Sequence, residues 1–318
     1  MAQGTGVVGR IAPSPTGWLH LGHARTFLLA WWSARSQNGK IVLRLEDLDR
    51  ERCRPAFVDG CLRDLEWLGM DWDGEAYQQS DGCERILESA RRLERLGLAY
   101  PCVCSRSDIR GSVQAPHQGE HEYVYDGRCR GRYPSRQAAL AATGQQAALR
   151  FRVPEGKIVV WDAIGGPVWC DVAREVGDFP IVRRDGTPAY QLAVVVDDAW
   201  QEVTEVVRGH DLSSSAGRQQ LLQAALGLST PNWAHVPLVL DLEGRRFAKR
   251  AGDLSLRALR EARVDPRALV GWIAQVSGWP DAEPAHPYDL VESFQIGRVP
   301  TNPVRIDPTQ LELLWERH

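Results

Sequence analysis

The 318-residue chain has no apolar run approaching the roughly 20 residues that a membrane-spanning helix needs. Its first residues lack the basic segment followed by an apolar one that marks a secretion signal, so none is expected. A regular cysteine framework is missing too. Seven cysteines, an odd number at uneven spacings, suit a reducing cytoplasm better than a disulfide scaffold. Charge of one sign is not in excess, since 38 Lys and Arg stand against 41 Asp and Glu for a net charge of -3. That balance excludes a protein that coats nucleic acid nonspecifically, although a local basic patch can still serve a selective binder. Internal repeats and low-complexity tracts are absent. What remains is a globular cytoplasmic chain, 43% hydrophobic and 25% charged, long enough for one large domain with an insertion or for two domains.

Apolar spacing predicts an opening strand at Val7, Val8 and Ile11, a helix from His23 to about Ser36, and a second strand from Ile41 to Leu45. Helical patterns follow around Phe57–Leu68 and Gly82–Leu98. This alternation predicts an α/β protein with a parallel sheet. From about Tyr100 to Pro188 the texture changes to short β-like runs, Ala148–Val153, Ile158–Asp162 and Phe179–Arg183, between Gly- and Pro-containing turns. The α/β rhythm resumes with strands at Leu192–Val196 and Val203–Val207, a helix near Ser214–Leu226 and a strand at Val236–Leu240. Beyond Leu254 the chain reads as mostly helical. The expected division is 1–99 and 189–254 as two halves of one domain, 100–188 as an insertion, and 255–318 as a helical end.

The most informative stretch is Arg10-Ile-Ala-Pro-Ser-Pro-Thr-Gly-Trp-Leu-His-Leu-Gly-His23. A strand that breaks at Pro13 and Pro15 and re-enters a helix makes an anion site, because unpaired N–H groups and the helix dipole both point at bound phosphate. His20 and His23 add N–H donors for charge developing on a phosphoryl group, and Gly22 lets a flat base approach the backbone. Over its whole length the run resembles the nucleotide-binding signature of class I aminoacyl-tRNA synthetases, in the form used by the glutamyl branch. The resemblance covers nearly the whole chain. It implies a Rossmann-like nucleotide-binding fold split by a zinc-containing, acceptor-binding insertion, followed by a helical C-terminal part. It ends where glutamyl enzymes continue into an anticodon-binding domain, for which no room is expected after His318.

A second phosphate-handling candidate is Arg246-Phe-Ala-Lys-Arg250. Flexible cations on a loop can follow a triphosphate as its pyrophosphate leaves. By position the segment is similar to the family's lysine loop, with Lys249 as its second lysine. Arg246 stands where the first lysine is usual, and Ala248 replaces a serine. Charge is kept, but the ammonium geometry and a hydroxyl hydrogen bond are lost. The ATP site implied is His20, Gly22, His23, Arg246 and Lys249, with His20, His23 and Lys249 as the catalytic set and Mg²⁺ arriving with ATP.

At strand ends, where α/β sheets bind ligands, stand Arg10, Glu46 and Arg208, with Tyr190 ahead of another strand. Two guanidinium forks can hold carboxylates and Glu46 an ammonium group. These positions match the glutamyl pattern and imply a glutamate site, with Ser14 as a further contact. Asp47, Asp49, Asp197 and Asp198 read as helix caps or orienting groups rather than metal ligands.

The insertion opens with Cys102-Val-Cys104 and later has Tyr125-Asp-Gly-Arg-Cys129. Two thiolates in Cys-x-Cys spacing disfavour a mutual disulfide but can share one tetrahedral metal. The truncated glutamyl-queuosine branch of the family binds zinc through this spacing, which implies one structural Zn²⁺ on Cys102, Cys104, Tyr125 and Cys129. The segment from Gly111 to Glu122 contains His117 and His121, either of which is an alternative to the weak phenol ligand. Cys53, Cys61, Cys83 and Cys170 read as packing residues. Arg128, Arg130 and Arg132 are a solvated run by default, and RNA phosphate contact is the second reading. For that branch the substrates are ATP, L-glutamate and tRNA(Asp), handled by a monomer. The alternatives are a compact glutamyl-tRNA synthetase and a catalytically weak RNA-binding paralogue.

Overall fold

A computed structural model describes residues 6–110, 124–244 and 255–307. The chain opens with β1 (Val8–Ile11), α1 (Leu21–Arg35), β2 (Lys40–Leu45), α2 (Pro55–Trp67), β3 (Tyr77–Gln78) and α3 (Cys83–Arg95). Strands β1, β2 and β3 are parallel neighbours in that order. Helix α1 packs on this sheet and buries Leu28, Leu29, Trp31 and Trp32 in the core, with Trp32 reaching Pro287 and Phe294 near the other end of the chain. Gly9 allows the close approach, because a Cβ there would meet Ala34 Cβ and Ile41 Cδ1, each at 3.0 Å.

The next region holds β4 (Ala99–Cys102), α4 (Arg106–Arg110), α5 (Arg136–Thr143), β5 (Ala148–Phe151), β6 (Ile158–Asp162), β7 (Gly166–Cys170), α6 (Val172–Glu175) and β8 (Pro180–Val182). Strands β4, β5 and β8 form an antiparallel sheet. Then come α7 (Tyr190–Trp200), β9 (Glu205–Gly209), α8 (Ser213–Leu226), β10 (Asn232–Val236) and β11 (Val239–Leu240). The described chain ends with α9 (Leu256–Glu261), α10 (Pro266–Gln275), two 3₁₀ turns and β12 (Val304–Arg305), which pairs with β11. None of the described helices is long and apolar enough to cross a membrane.

A second sheet runs β7-β6-β10-β9, with β6, β10 and β9 parallel. It abuts the first sheet at β1. Thr204 N–H donates to the Val8 carbonyl at 2.9 Å, and Arg10 Nη1 donates to the Val207 carbonyl at 2.8 Å. Strand β1 therefore leads through α1 to β2 on one side, while its neighbour β9 leads through α8 to β10 on the other. Between two strands whose connections diverge, the carboxyl ends leave a crevice, the usual ligand position in such sheets.

Two elements depart from the sequence reading. The apolar run Leu192–Val196, expected as a strand, lies inside helix α7. Its β-branched residues suggested a strand, but residues 192–198 are all buried, so the run has no polar face to reveal a helical period. The expected strand over Val236–Leu240 is divided. Strand β10 stops at Val236, Pro237 has no N–H to offer a ladder, and its carbonyl accepts from Arg25 Nη1 at 2.5 Å.

Candidate active site

The crevice gathers most of the charged residues singled out at strand ends. Arg10, in β1, is 7% exposed, and its Nε lies 3.8 Å from Asp198. Glu46 follows β2, and its N–H donates to the Pro13 carbonyl at 2.9 Å, which ties the loops after β1 and β2 together. Arg208 lies in β9 and is 4% exposed. Tyr190 is the first residue of α7 rather than the approach to a strand. Electrostatically, Arg10, Glu46, Tyr190 and Arg208 all act on one another. Burial raises the Glu46 carboxyl and the Tyr190 phenol, and lowers Arg208 to about 10. Ser14 is exposed in the loop between β1 and α1, and its carbonyl accepts from Thr16 N–H at 2.8 Å.

Sequence reasoning missed Arg44. It is 0% exposed, with Nη2 at 2.8 Å from Asp198 and 3.3 Å from Glu46, and Nη1 donating to Gln201 at 2.8 Å. Burial opposes its charge, yet the neighbouring Asp198 and Glu46 carboxylates hold it firmly protonated. A charged residue inside the apolar strand Lys-Ile-Val-Leu-Arg-Leu was the available signal, since parallel strands are covered on both faces. Asp198 thus orients the arginines, and Asp197 accepts from Gln79 and Arg85 at 2.9 and 2.8 Å. Asp47 holds the Ser80 N–H and hydroxyl, each at 2.7 Å, and Asp49 pairs with Arg52. None of the four caps its own helix.

At the turn expected to bind phosphate, His20 is the N-cap of α1. Its Nδ1 accepts from Gly22 N–H at 3.1 Å, and His23 Nδ1 accepts from His20 N–H at 3.3 Å. When neutral, each ring must therefore carry its proton on Nε2. The rings lie 3.8 Å apart. Burial, and then His20, lower His23 to about 3, so it is uncharged at neutral pH. A Cβ on Gly22 would meet His20 Cε1 at 3.0 Å, so this glycine makes room for the histidine ring as well as for any ligand. Arg246 and Lys249 lie outside the described residues. Ser255, just beyond that segment, forms a β-bridge with His20, and Leu256 N–H donates to the Leu19 carbonyl at 2.8 Å.

In the insertion the Sγ atoms of Cys102, Cys104 and Cys129 all lie within 4.8 Å of one another. Cys104 and Cys129 are 3.5 Å apart, and Tyr125 Oη lies 3.4 Å from Cys102 and 3.7 Å from Cys104. Tetrahedral zinc with bonds near 2.3 Å sets its sulfurs about 3.8 Å apart, so the four donors fit one ion. Arg150 Nε donates to Cys102 Sγ at 3.3 Å and Cys129 N–H to Tyr125 Oη at 3.1 Å, contacts that orient these two side chains towards the shared centre. His117 and His121 lie outside the described residues. Cys53, Cys61, Cys83 and Cys170 are free thiols, the second and fourth of them buried. Arg130 is not a free phosphate contact: its Nε and Nη2 grip Asp178 at 2.6 and 2.5 Å. Arg128 pairs with Asp126 at 2.9 Å, and Arg132 lies over the Tyr133 ring.

Residues 6–307 match the family described as tRNA synthetases class I (E and Q), catalytic domain. The chain is 44% identical over 308 residues to the glutamyl-Q tRNA(Asp) synthetase of Symbiobacterium thermophilum, a match that covers 94% of this chain and 95% of the relative. Glutamate–tRNA ligase 1 of Methylorubrum extorquens is 39% identical across 97% of this chain, which spans 64% of that enzyme. A glutamate tRNA ligase from Elizabethkingia meningosepticum, crystallised in complex with its amino acid, superposes with a TM-score of 0.84. It is 26% identical, over 98% of this chain and 69% of the ligase. With a catalytic-domain match over nearly its whole length and this degree of identity, the chain belongs to the class I tRNA synthetases of the glutamate and glutamine group, on the branch of the glutamyl-Q tRNA(Asp) synthetases.

Proposed function

We propose that this chain activates L-glutamate with ATP and transfers the glutamyl group to the queuosine nucleoside at the wobble position of tRNA(Asp). The observation that carries the first half is the convergence of Arg10 and Arg208 with Glu46 and Tyr190 at one crevice. Two guanidinium groups and one carboxylate complement a substrate with two carboxylates and one ammonium group. In activation, a glutamate carboxylate oxygen attacks the α-phosphorus of ATP and pyrophosphate departs. His20 and His23 offer Nε2 N–H groups to the phosphate oxygens, while Arg246 and Lys249 follow the leaving charge. A hydroxyl of the acceptor then attacks the acyl carbon and AMP leaves. Mg²⁺ would enter with the triphosphate.

The acceptor is supported by the names of relatives such as that of Symbiobacterium thermophilum. Residues 1–99 and 189–254 serve as the two halves of the catalytic domain, and 100–188 as the acceptor-binding insertion. One structural zinc on Cys102, Cys104, Tyr125 and Cys129 would brace that insertion. Seven free thiols suit a reducing cytoplasm. The test has two stages. ATP–pyrophosphate exchange should proceed with glutamate alone, without RNA. Labelled glutamate should then attach to queuosine-containing tRNA(Asp) and not to the same tRNA lacking queuosine. Charging of tRNA(Glu) at its 3′ end would instead assign a compact glutamate–tRNA ligase, and no exchange at all would leave an RNA-binding paralogue.

A further inference from the structure

From Arg208 runs a buried chain of polar groups that neither the motifs nor the relatives' names account for. Asp162 closes β6, and every contact to its carboxylate is a donor. Oδ1 accepts from the N–H groups of Ile164 and Gly165 at 2.9 and 2.7 Å. Oδ2 accepts from His235 N–H at 3.0 Å and faces His235 Nδ1 at 2.5 Å. Burial opposes its charge, but these hydrogen bonds hold Asp162 down at about 2. An ionised carboxylate cannot donate, so the proton between Asp162 and His235 belongs to Nδ1. His235 Nε2 is then a bare lone pair, and Arg208 Nε donates to it at 3.0 Å. The assignment is forced from both ends, because an arginine Nε is always a donor.

The rest of the guanidinium is equally constrained. Nη1 donates to Gln219 Oε1 at 2.7 Å and Nη2 to the Leu212 carbonyl at 3.1 Å. The Trp233 ring stacks on His235 and lies under Arg208, 4.6 Å from the guanidinium carbon. Asp162, His235, Trp233 and Arg208 are 8%, 5%, 3% and 4% exposed. Three of five guanidinium N–H groups are thus engaged within the protein. Among the described residues, one on each Nη has no acceptor, and a guanidinium can present two such groups to a carboxylate.

We propose that His235 and Asp162 are positioning residues for the amino-acid substrate: they fix the plane of Arg208 so that its two remaining N–H groups form a rigid fork for a carboxylate. This rests on the reading that Arg208 faces glutamate. A fork that can only donate, and cannot turn, leaves the amide nitrogen of glutamine opposed to another donor. The relay therefore sharpens the choice of acid over amide as well as the affinity for the acid.

The test is ATP–pyrophosphate exchange with the full chain, comparing His235→Phe, His235→Gln, Asp162→Asn and Arg208→Lys. Loss of one charged hydrogen bond that orients Arg208 should raise KM for glutamate about 10- to 100-fold in His235→Phe, with KM for ATP unmoved. His235→Gln should recover part of that, since its carbonyl can receive Arg208 Nε–H. Asp162→Asn should match His235→Phe despite its equal size, because either orientation of the amide sets NH₂ against donors. The double variant His235→Phe with Arg208→Lys should be no worse than Arg208→Lys alone, as expected of groups that act through one another. If His235→Phe fails to fold, His235→Gln and Asp162→Asn carry the same test. The proposal is overturned by a folded His235→Phe with unaltered KM for glutamate. It is equally overturned by losses that fall on glutamate and ATP alike and add to those of Arg208→Lys. Absence of glutamate-dependent exchange in the unaltered protein would instead overturn the proposed function, and an unaltered KM in Arg208→Lys would remove glutamate from Arg208.

Discussion

The two sides of the crevice hold charge in opposite ways. On the proposed amino-acid side, permanent charges are matched within the fold: Arg44 stands between Glu46 and Asp198, and Arg208 is engaged on three edges. On the proposed phosphate side, His23 is partly buried and uncharged, and the cations proposed for it, Arg246 and Lys249, lie outside the described residues. The difference follows from what each ligand would do. An amino acid carries fixed charges into the site, so fixed counter-charges recognise it. A triphosphate redistributes its charge as the reaction proceeds, and donors that gain strength with that change accelerate the step.

The strongest way to break this contrast is Arg44→Met, which strands two buried carboxylates. It should cost about 3–5 kcal/mol of stability, read by chemical denaturation. A loss below about 1 kcal/mol, the range of surface pairs, would mean that the network is not holding its charges together. Next is Lys249→Ala, expected to slow pyrophosphate exchange by about 2.7–4 kcal/mol of activation, the scale of a lost transition-state donor. Exchange at the unaltered rate would remove Lys249 from the proposed phosphate site. Smaller in its effect on activation is removal of the metal. Cys104→Ser and Cys129→Ser should each lose the one zinc per chain, while glutamate-dependent exchange stays close to that of the unaltered protein. Tyr100, Cys102, Tyr125 and Cys129 form a cluster of their own, separate from the two large cores. Full zinc content in both variants would refute the site.

The smallest effect is a pH dependence. His23 falls from its ordinary value to about 3, so the fold favours the neutral ring. The unfolded chain then binds the extra proton first, and stability declines as pH falls from about 6.5 towards 3, with the full contribution present above that window. Thermal melts of the unaltered protein and His23→Asn should diverge between pH 7 and 4.5, the unaltered protein losing more. Parallel curves would show that His23 is no more neutral in the fold than outside it.

How far the chain could be read depended on where each residue's partners lie in sequence. The turn before α1 was legible because its hydrogen bonds are local, His20 to Gly22 and His20 to His23. The thiol cluster was legible because Cys102, Cys104, Tyr125 and Cys129 fall within one short span. Arg44 and Asp198 meet across two halves of the fold, and Asp162 meets His235 across β6 and β10, so no spacing announced either pair. Helix α7 was misread for a related reason. Its Val194-Val195-Val196 run is wrapped by neighbours on every side, and tertiary burial erased the periodicity that a half-exposed helix would have displayed.

The bridge between His20 and Ser255 has a consequence for how residues 241–254 can be engineered. At one end the span is moored by β11, whose Val239 and Leu240 pair with Val304 and Arg305, and at the other by the turn that carries the two histidines. Its contour length is therefore a molecular ruler between two posts. One glycine added within it leaves the pairing at both posts untouched, so the protein should fold as before. The same insertion would change where Lys249 falls along the ruler. The length of this segment and the rate of the proposed activation step could then be varied independently of stability, a separation that the interlocked charges around Arg44 do not permit.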